Sequence, residues 1–373
     1  MEKSSKENIS FNRGVPETQS LPKKKVGEIT EEVLNRYGDS LLQYGDSKGF
    51  EPLRNKLADW YVNATNDRIL VGNGSLQILD MIANLIVEPG DTVLVESPTY
   101  DRAITIFNRA EAKVKGVKLE KDGPELGELS ELITECQPKL FYTIPDFQNP
   151  TGVCATGKKR KKIVELTRES GTVIVEDSPY RKLRYRGESV PTLRSFSPER
   201  VVQVSSFSKL IGPGMRVGWV VGNPEFIDDL AEYAEDTYIT PGLLSQGLVD
   251  GLIGDGWLKE NIQDLISLYA PRLETTLESL EKYFPGADWV EPRGGFFVGL
   301  WLPGDTDVDQ FYSRAEEENL VLSRSERFFP GRRGKDFLRL PFPALSSDRI
   351  EEGIMRLGEA WRNLKPKSND SLS

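Results

Sequence analysis

Short apolar runs recur through the first two thirds of the 373-residue chain, separated by segments of helical period. Residues 69–71, 92–95, 113–117, 140–144, 172–175, 201–204 and 217–221 read as seven strands. Between them, residues 75–87, 102–109, 126–134 and 158–170 carry the spacing of helices. Strands that are apolar throughout are covered on both faces. Their alternation with helices is the pattern of an α/β fold, a mostly parallel seven-stranded sheet sandwiched by helices. Such sheets place their sites at the carboxyl ends of strands.

The flanks read differently. Residues 1–45 look like an irregular arm with one helix over 26–37. From Gly49, Leu53, Leu57, Trp60 and Tyr61 share one helical face. After Val221 comes a helical region whose longest segment, 257–283, is expected to be interrupted by Pro271 and to join two domains. Beyond residue 285, strands at 296–300 and 337–340 mix with helices at 308–319 and 347–363. The expected division is an N-terminal arm (1–45) belonging to a small domain, a large domain (46–270), and a C-terminal small α+β domain (271–373).

Composition narrows the chemistry. The chain has no histidine, which removes a Ser-His-Asp triad and a His-ligated zinc site. Cys136 and Cys154 are the only cysteines, too few for a disulfide framework or a Cys-rich metal site, so a reducing cytoplasm and no metal are expected. A formal charge of −10 argues against a nucleic-acid or anionic-membrane surface. The polar start, Met1 to Asn8, lacks the apolar core of a signal peptide, and no apolar run reaches ~18 residues. The tail from Lys365 reads as disordered.

The candidate chemistry falls just past predicted strands. Lys209 lies in Ser205-Ser206-Phe207-Ser208-Lys209, and Gly212-Pro213-Gly214-Met215-Arg216 follows. A lysine beside hydroxyls and an arginine suits an amine that bonds covalently to a phosphorylated aldehyde, with Ser206, Ser208 and Arg216 holding the phosphate. Gly72-Asn73-Gly74-Ser75 opens a helix, where unpaired N–H groups face an anion, or where Ser75 is simply the helix cap. Asn149, in the turn-forming Asn149-Pro150-Thr151-Gly152, could offer its amide to a phenolic oxygen. Asp177 and Tyr180 follow a buried strand, and an acid there requires a cation such as a protonated pyridine nitrogen. Tyr100 follows another strand and could stack on a planar ring. Arg339 is a charge inside an apolar strand, set either for a substrate carboxylate or for an internal salt bridge.

Asn149, Asp177, Tyr180, Lys209 and Arg216 come in this order, with gaps of 28 (177 − 149) and 32 (209 − 177). The set resembles the fold type I pyridoxal-phosphate enzymes of the class I/II aminotransferase family, nearest the 2-aminoadipate and kynurenine aminotransferase branch. Gln43-Tyr44, Gly49 to Arg54, Pro292-Arg293-Gly294-Gly295 and Leu338-Arg339-Leu340 extend the resemblance from about Ile9 to Trp361. It implies pyridoxal 5'-phosphate as cofactor, with Lys209 bonded to its aldehyde. Asp177 would pair with the pyridine nitrogen, Asn149 and Tyr180 would hold the phenolic oxygen, and Tyr100 would stack on the ring. Ser206, Ser208, Arg216 and the turn Gly74, Ser75 and Leu76 would bind the phosphate. Tyr44 would reach the phosphate of a neighbouring subunit, implying a homodimer with shared sites. Arg339 and Gly14 would flank the substrate carboxylate, and Arg13 would meet a distal acidic group or close the pocket.

The implied activity moves an amino group from an L-amino acid, of 2-aminoadipate, aromatic or other bulky type, to a 2-oxo acid such as 2-oxoglutarate. The short arm and Leu76, where relatives often have glutamine, depart from the branch pattern and bear on which donor is used. Other readings share the cofactor residues: a β-lyase, a decarboxylase, or an amino-acid oxidase. A non-catalytic module like that fused to DNA-binding domains in some bacterial regulators is a further reading, and no segment here is expected to form that extra domain. A nicotinamide dehydrogenase is disfavoured because no G-x-G-x-x-G opens the first helix.

Overall fold

The computed structural model describes residues 7–304, 306–331, 334 and 336–364. The first six residues and the tail from 365, read above as polar and unstructured, lie outside the described residues. Among the described residues no helix is long and apolar enough to cross a membrane.

Before the main sheet come β1 (Ile9–Phe11), α1 (Lys23–Tyr37) and α2 (Glu51–Ala58). The alternating part runs β2 (Ile69–Gly72), α3 (Ser75–Ile86), β3 (Thr92–Ser97), α4 (Asp101–Arg109), β4 (Lys113–Glu120), β5 (Gly123–Pro124), α5 (Leu126–Cys136), β6 (Leu140–Thr143), α6 (Gly157–Thr167), β7 (Val173–Asp177), α7 (Leu193–Phe196), β8 (Val201–Ser206) and β9 (Gly218–Val221). Then follow α8 (Pro224–Tyr238), α9 (Leu243–Gly254), α10 (Trp257–Tyr283), β10 (Asp288–Trp289), β11 (Phe297–Trp301), α11 (Val308–Glu317), β12 (Leu320–Leu322), β13 (Phe337–Pro341) and α12 (Ser347–Arg362).

The main sheet has the order β2-β9-β8-β7-β6-β3-β4-β5. The seven expected strands are all present, and the two-residue β5 adds an eighth at the edge. Its Gly-Pro sequence gives no apolar pattern by which to predict it. The central strands are parallel, whereas β9 runs antiparallel between β2 and β8. Neighbouring residues in one strand serve opposite faces, as the two-residue period requires. Val95, Tyr142 and Val175 pack with Ile78, Phe107 and Ile227 on one side, while Leu94, Phe141 and Ile174 pack with Leu129 and Ile163 on the other. Full burial of each such apolar side chain is worth about 1.5–3 kcal/mol, so both faces must be covered.

The antiparallel step has a direct consequence. Because Ser206 of β8 registers with Gly218 of β9, residues 207–217 form one loop at the sheet's edge, carrying both Lys209 and Arg216. The arm is held by a different device. β1 pairs in parallel with β12, and its buried Phe11 fits against Gly353 of α12, where a Cβ would lie 2.6 Å from the ring. This brings Asn12, Arg13 and Gly14 over the open end of the main sheet. Helix α10 runs unbroken through Pro271, contrary to the expected interruption. Buried Leu265, Tyr269, Leu273 and Leu280 on either side hold it in place, which outweighs one lost backbone hydrogen bond.

The loop after β6 is fixed by charge. Asp146 is fully buried and accepts from Arg160 at 2.8 and 3.1 Å, from Arg181 at 2.8 Å and from Arg184 at 3.4 Å. Burial alone would raise its pKa, but the Arg160 and Arg181 guanidinium groups hold it below the usual carboxylate value. Asp146→Ala leaves Arg160, itself fully buried, without its counter-ion. We expect that substitution to cost about 3–5 kcal/mol of unfolding free energy, measured by urea denaturation.

Candidate active site

Lys209 ends the short 3-10 turn Phe207–Lys209 that directly follows β8. It lies partly buried on the wall of a cleft of about 440 Å³ at the carboxyl ends of β7 and β8. Its Nζ donates to the Gly14 carbonyl at 2.8 Å and lies 5.9 and 5.4 Å from the Tyr180 and Phe296 ring centres. No carboxylate pairs with it among the described residues. Loss of water, and secondarily the charge of Arg339, bring its pKa down to about 8. The arm therefore supplies only a neutral acceptor, and the amine stays close to deprotonation.

Asp177 is the last residue of β7 and is buried. Its Oδ2 accepts from the Tyr142 hydroxyl at 2.7 Å, while its Oδ1 is buried with no partner. Burial pushes its pKa up to about 6, against the Tyr142 bond. An orphaned buried carboxylate oxygen requires a donor, and a cationic ring N–H supplies both the proton and the charge. Tyr180, three residues on, is buried, and its hydroxyl pKa is raised by burial. Asn149 accepts from Arg339 Nη1 at 3.2 Å through its Oδ1, which leaves its amide N–H groups as donors.

The loop carrying Asn149 is pinned from beneath. Glu96 accepts from Thr143 at 2.5 Å, from the Ile144 N–H at 3.2 Å and from Gln148 at 3.0 Å, and Gln148 in turn accepts from Thr151. Glu96 is buried, and burial raises its pKa to about 7 in spite of these bonds.

An anion cradle lies on the other side of Lys209. Gly74 caps α3 with a positive φ of 97°, a conformation suited to glycine. Ser75 is thus the first helical residue and not the cap, so its N–H is among the free donors at the helix start. Gly218 lets the two backbones meet, since a Cβ there would lie 2.3 Å from the Ser75 nitrogen. Arg216 is exposed above Gly74, donates to the Asn73 carbonyl at 3.0 Å, and has no carboxylate partner among the described residues. The Ser206 hydroxyl donates to Ser208 at 2.8 Å. Backbone donors, hydroxyls and a guanidinium bonded only to the Asn73 and Pro213 carbonyls face one cleft and fit a phosphate.

Arg339 projects from β13 into the same cleft. It donates to the Asn12 carbonyl at 2.5 Å and to Ser323 at 3.0 Å, and its buried Nε has no partner. Among the described residues no carboxylate pairs with it, so the arginine remains available to a carboxylate from outside. Loss of water pulls its pKa down.

The structure gathers Gly14, Arg13, Ser75, Leu76, Tyr100, Asn149, Asp177, Tyr180, Ser206, Ser208, Lys209, Arg216 and Arg339 on one cleft, with Gly74 directly behind it. Tyr44 is not among them. It is 72% exposed and lies elsewhere on the surface. Sequence reasoning missed Tyr142, whose hydroxyl on an apolar strand was the available signal. It also missed Asn12, Ser323 and the Asp101–Arg327 pair at 2.9 Å, which come from distant segments.

A partly buried amine with a lowered pKa, a buried carboxylate with an unpaired oxygen and a set of anion-ready donors on one cleft suit a pyridoxal-phosphate-dependent transaminase. The sequence matches the aminotransferase class I and II family over residues 6–357, and the chain belongs to that family. It is 36% identical to aromatic-amino-acid aminotransferase 1 of Thermococcus litoralis, over 94% of this chain and 87% of that one. It is 32% identical to 2-aminoadipate transaminase of Thermus thermophilus, over 95% and 90% of the two chains. Among solved structures, Pyrococcus horikoshii kynurenine aminotransferase in complex with PMP superposes with a TM-score of 0.92 at 34% identity, covering 96% of this chain and 91% of that one.

The lowered lysine pKa makes a measurable prediction. A depressed pKa means that the neutral amine builds up as pH rises through about 8, well below the ordinary lysine value of 10.5. Covalent capture of pyridoxal phosphate by ligand-free protein, followed by absorbance, should accelerate through pH 8 and then level off. A rate that climbs only near pH 10 contradicts this assignment.

Proposed function

We propose that this aminotransferase takes a bulky L-amino acid, of aromatic or 2-aminoadipate type, and passes its amino group to a 2-oxo acid such as 2-oxoglutarate. The similarity to aromatic, 2-aminoadipate and kynurenine aminotransferases supports this donor class. So does the mixed lining of the cleft, where Val15, Leu76 and Phe297 supply apolar wall. Arg13, exposed on that wall and without a carboxylate partner among the described residues, is assigned to a distal acidic group or to closing the pocket.

Pyridoxal phosphate, when bound, supplies an aldehyde that condenses with amines and a ring that accepts carbanion charge. The protein's residues would do the rest. Ser206, Ser208, Arg216 and the Gly74–Leu76 turn would hold the phosphate, and Lys209 would hold the aldehyde. Asp177 Oδ1 would accept the ring N–H and keep that proton in place. Asn149 and Tyr180 would donate to the phenolic oxygen, and Tyr100 would cover the ring. Arg339 would grip the substrate carboxylate beside Gly14. Lys209 Nζ, once displaced, would take the substrate's α-proton and return it, a role suited to an amine poised near neutrality.

One observation carries this reading. Lys209 and Asp177 line one cleft, each with its charge uncompensated. We further propose a homodimer, in which Tyr44 reaches the neighbouring phosphate. Leu42 and Tyr44 are each 72% exposed, with Ile239 at 53% and Leu244 at 37%. Gly45 lies beside Thr240 and Leu243, so these side chains share one region. The division at residues 45 and 270 into arm, large and small domains is retained as part of this proposal.

Lys209→Ala should lower kcat by at least about 10²–10⁴-fold, scored as 2-oxo acid formed from saturating amino donor. Near-normal turnover sinks the assignment. Mixing Lys209→Ala with Tyr44→Ala subunits should restore activity above either alone, because each mixed dimer then holds one complete site.

A further inference from the structure

A second cavity, of about 250 Å³, lies behind the cofactor cleft. Ser178 and Pro179, directly after Asp177, form part of its wall, as do Ser205 and Leu210 on either side of the Lys209 turn. None of the roles assigned above uses it.

Several of its polar groups are incompletely satisfied: Gln203 Oε1 on its wall and the nearby Glu176 Oε1 are buried acceptors without partners, and Arg194 carries the unpaired donors. Arg194 is 2% exposed, and its Nε and Nη2 are both buried without a partner. Only its Nη1 is engaged, donating to the Val62 carbonyl at 3.3 Å. Nε and Nη2 form one edge of the guanidinium, the fork that takes two oxygens of a carboxylate or phosphate side by side. Buried arginine donors left unpaired are costly, so this edge points to an occupant. Lys182 stands at the mouth, its ammonium 4.0 Å from the Trp60 ring centre, and it pairs with no carboxylate among the described residues.

The surrounding charge has the same sign. The charged residues on the cavity wall are Arg181, Lys182 and Arg194, and no carboxylate is among its lining. Asp146 is fully committed to Arg160, Arg181 and Arg184. Glu176 accepts from the Arg194 backbone N–H at 3.0 Å, and burial raises its pKa to about 7, which reduces what it can neutralise. A cationic wall in a chain of net charge −10 favours an anion at this position. Trp60, Tyr61 and Trp219 also line the cavity, with Lys182 4.0 Å from the Trp60 ring centre and Arg194 5.7 Å from that of Tyr61.

We propose that this cavity is a second ligand site, taking a small oxyanion group, carboxylate or phosphate, on the Arg194 fork with Lys182 closing the mouth. Its wall is the backbone that carries Asp177, Tyr180 and Lys209, so the ligand is an effector of the cofactor site. The effector role rests on the function proposed for the cleft, whereas binding at the Arg194 fork does not.

The test is calorimetric titration of holoenzyme, its cofactor phosphate subsite already filled, with inorganic phosphate in one arm and benzoate in the other. Binding in either arm is expected, and which arm binds identifies the group recognised. Arg194→Gln should weaken it about tenfold or more, and Lys182→Gln should weaken it measurably. Arg339→Gln, which alters the substrate carboxylate position, should leave it intact. Should Arg194→Gln not fold, Lys182→Gln decides, since that residue is exposed. No binding in either arm at tens of millimolar, or binding lost only in Arg339→Gln, overturns the proposal.

Discussion

The structure turns on an amine and a carboxylate held in one cleft without neutralising each other. Lys209 and Asp177 would gain by pairing, since both are deprived of water. Each is instead held by another partner. Asp177 is tied to Tyr142 at 2.7 Å, and Lys209 to the Gly14 carbonyl at 2.8 Å. Each group moves toward its neutral form, the lysine down to about 8 and the aspartic acid up to about 6. The result is a site whose two charged ends await opposite ends of one ligand.

Holding them there requires much of the remaining fold. Parallel strands β6, β7 and β8 bring Tyr142, Asp177 and Ser206 to one edge, and the antiparallel β9 closes the loop that carries Lys209 and Arg216. Asp146 and Glu96 fix the loop bearing Asn149 from opposite sides, one by arginine pairs and one by hydrogen bonds. The parallel pairing of β1 with β12 places the arm over the cleft, while β13 brings Arg339 from the three-stranded sheet. Three separate parts of the chain thus converge on one cavity, and the sequence separation between Gly14 and Lys209 is what makes the arrangement long-range.

How much of this was legible beforehand follows from what each signal measures. Strands such as 140–144 and 201–204 were readable because burial on both faces leaves continuous apolar runs. Asp177, Tyr180, Lys209 and Arg216 were readable because the carboxyl ends of parallel strands gather sites, and each lies at, or in the loop after, an apolar run that marks such an end. β5 was not, since two residues of Gly-Pro have no periodicity, and Pro271 misled because packing on both sides overrides a local helix breaker. Tyr142, Asn12 and Ser323 contribute through tertiary contacts that no local pattern encodes. The unpaired edge of Arg194 is of the same kind, because a sequence shows an arginine but not whether its donors are met.

The most direct test of the account is to locate the covalent bond itself. Ligand-free protein is incubated with pyridoxal phosphate, reduced with borohydride, digested, and its peptides weighed by mass spectrometry. The account predicts the added mass on the peptide containing Lys209. A Lys209 peptide of unmodified mass, or a label carried by another lysine, contradicts it.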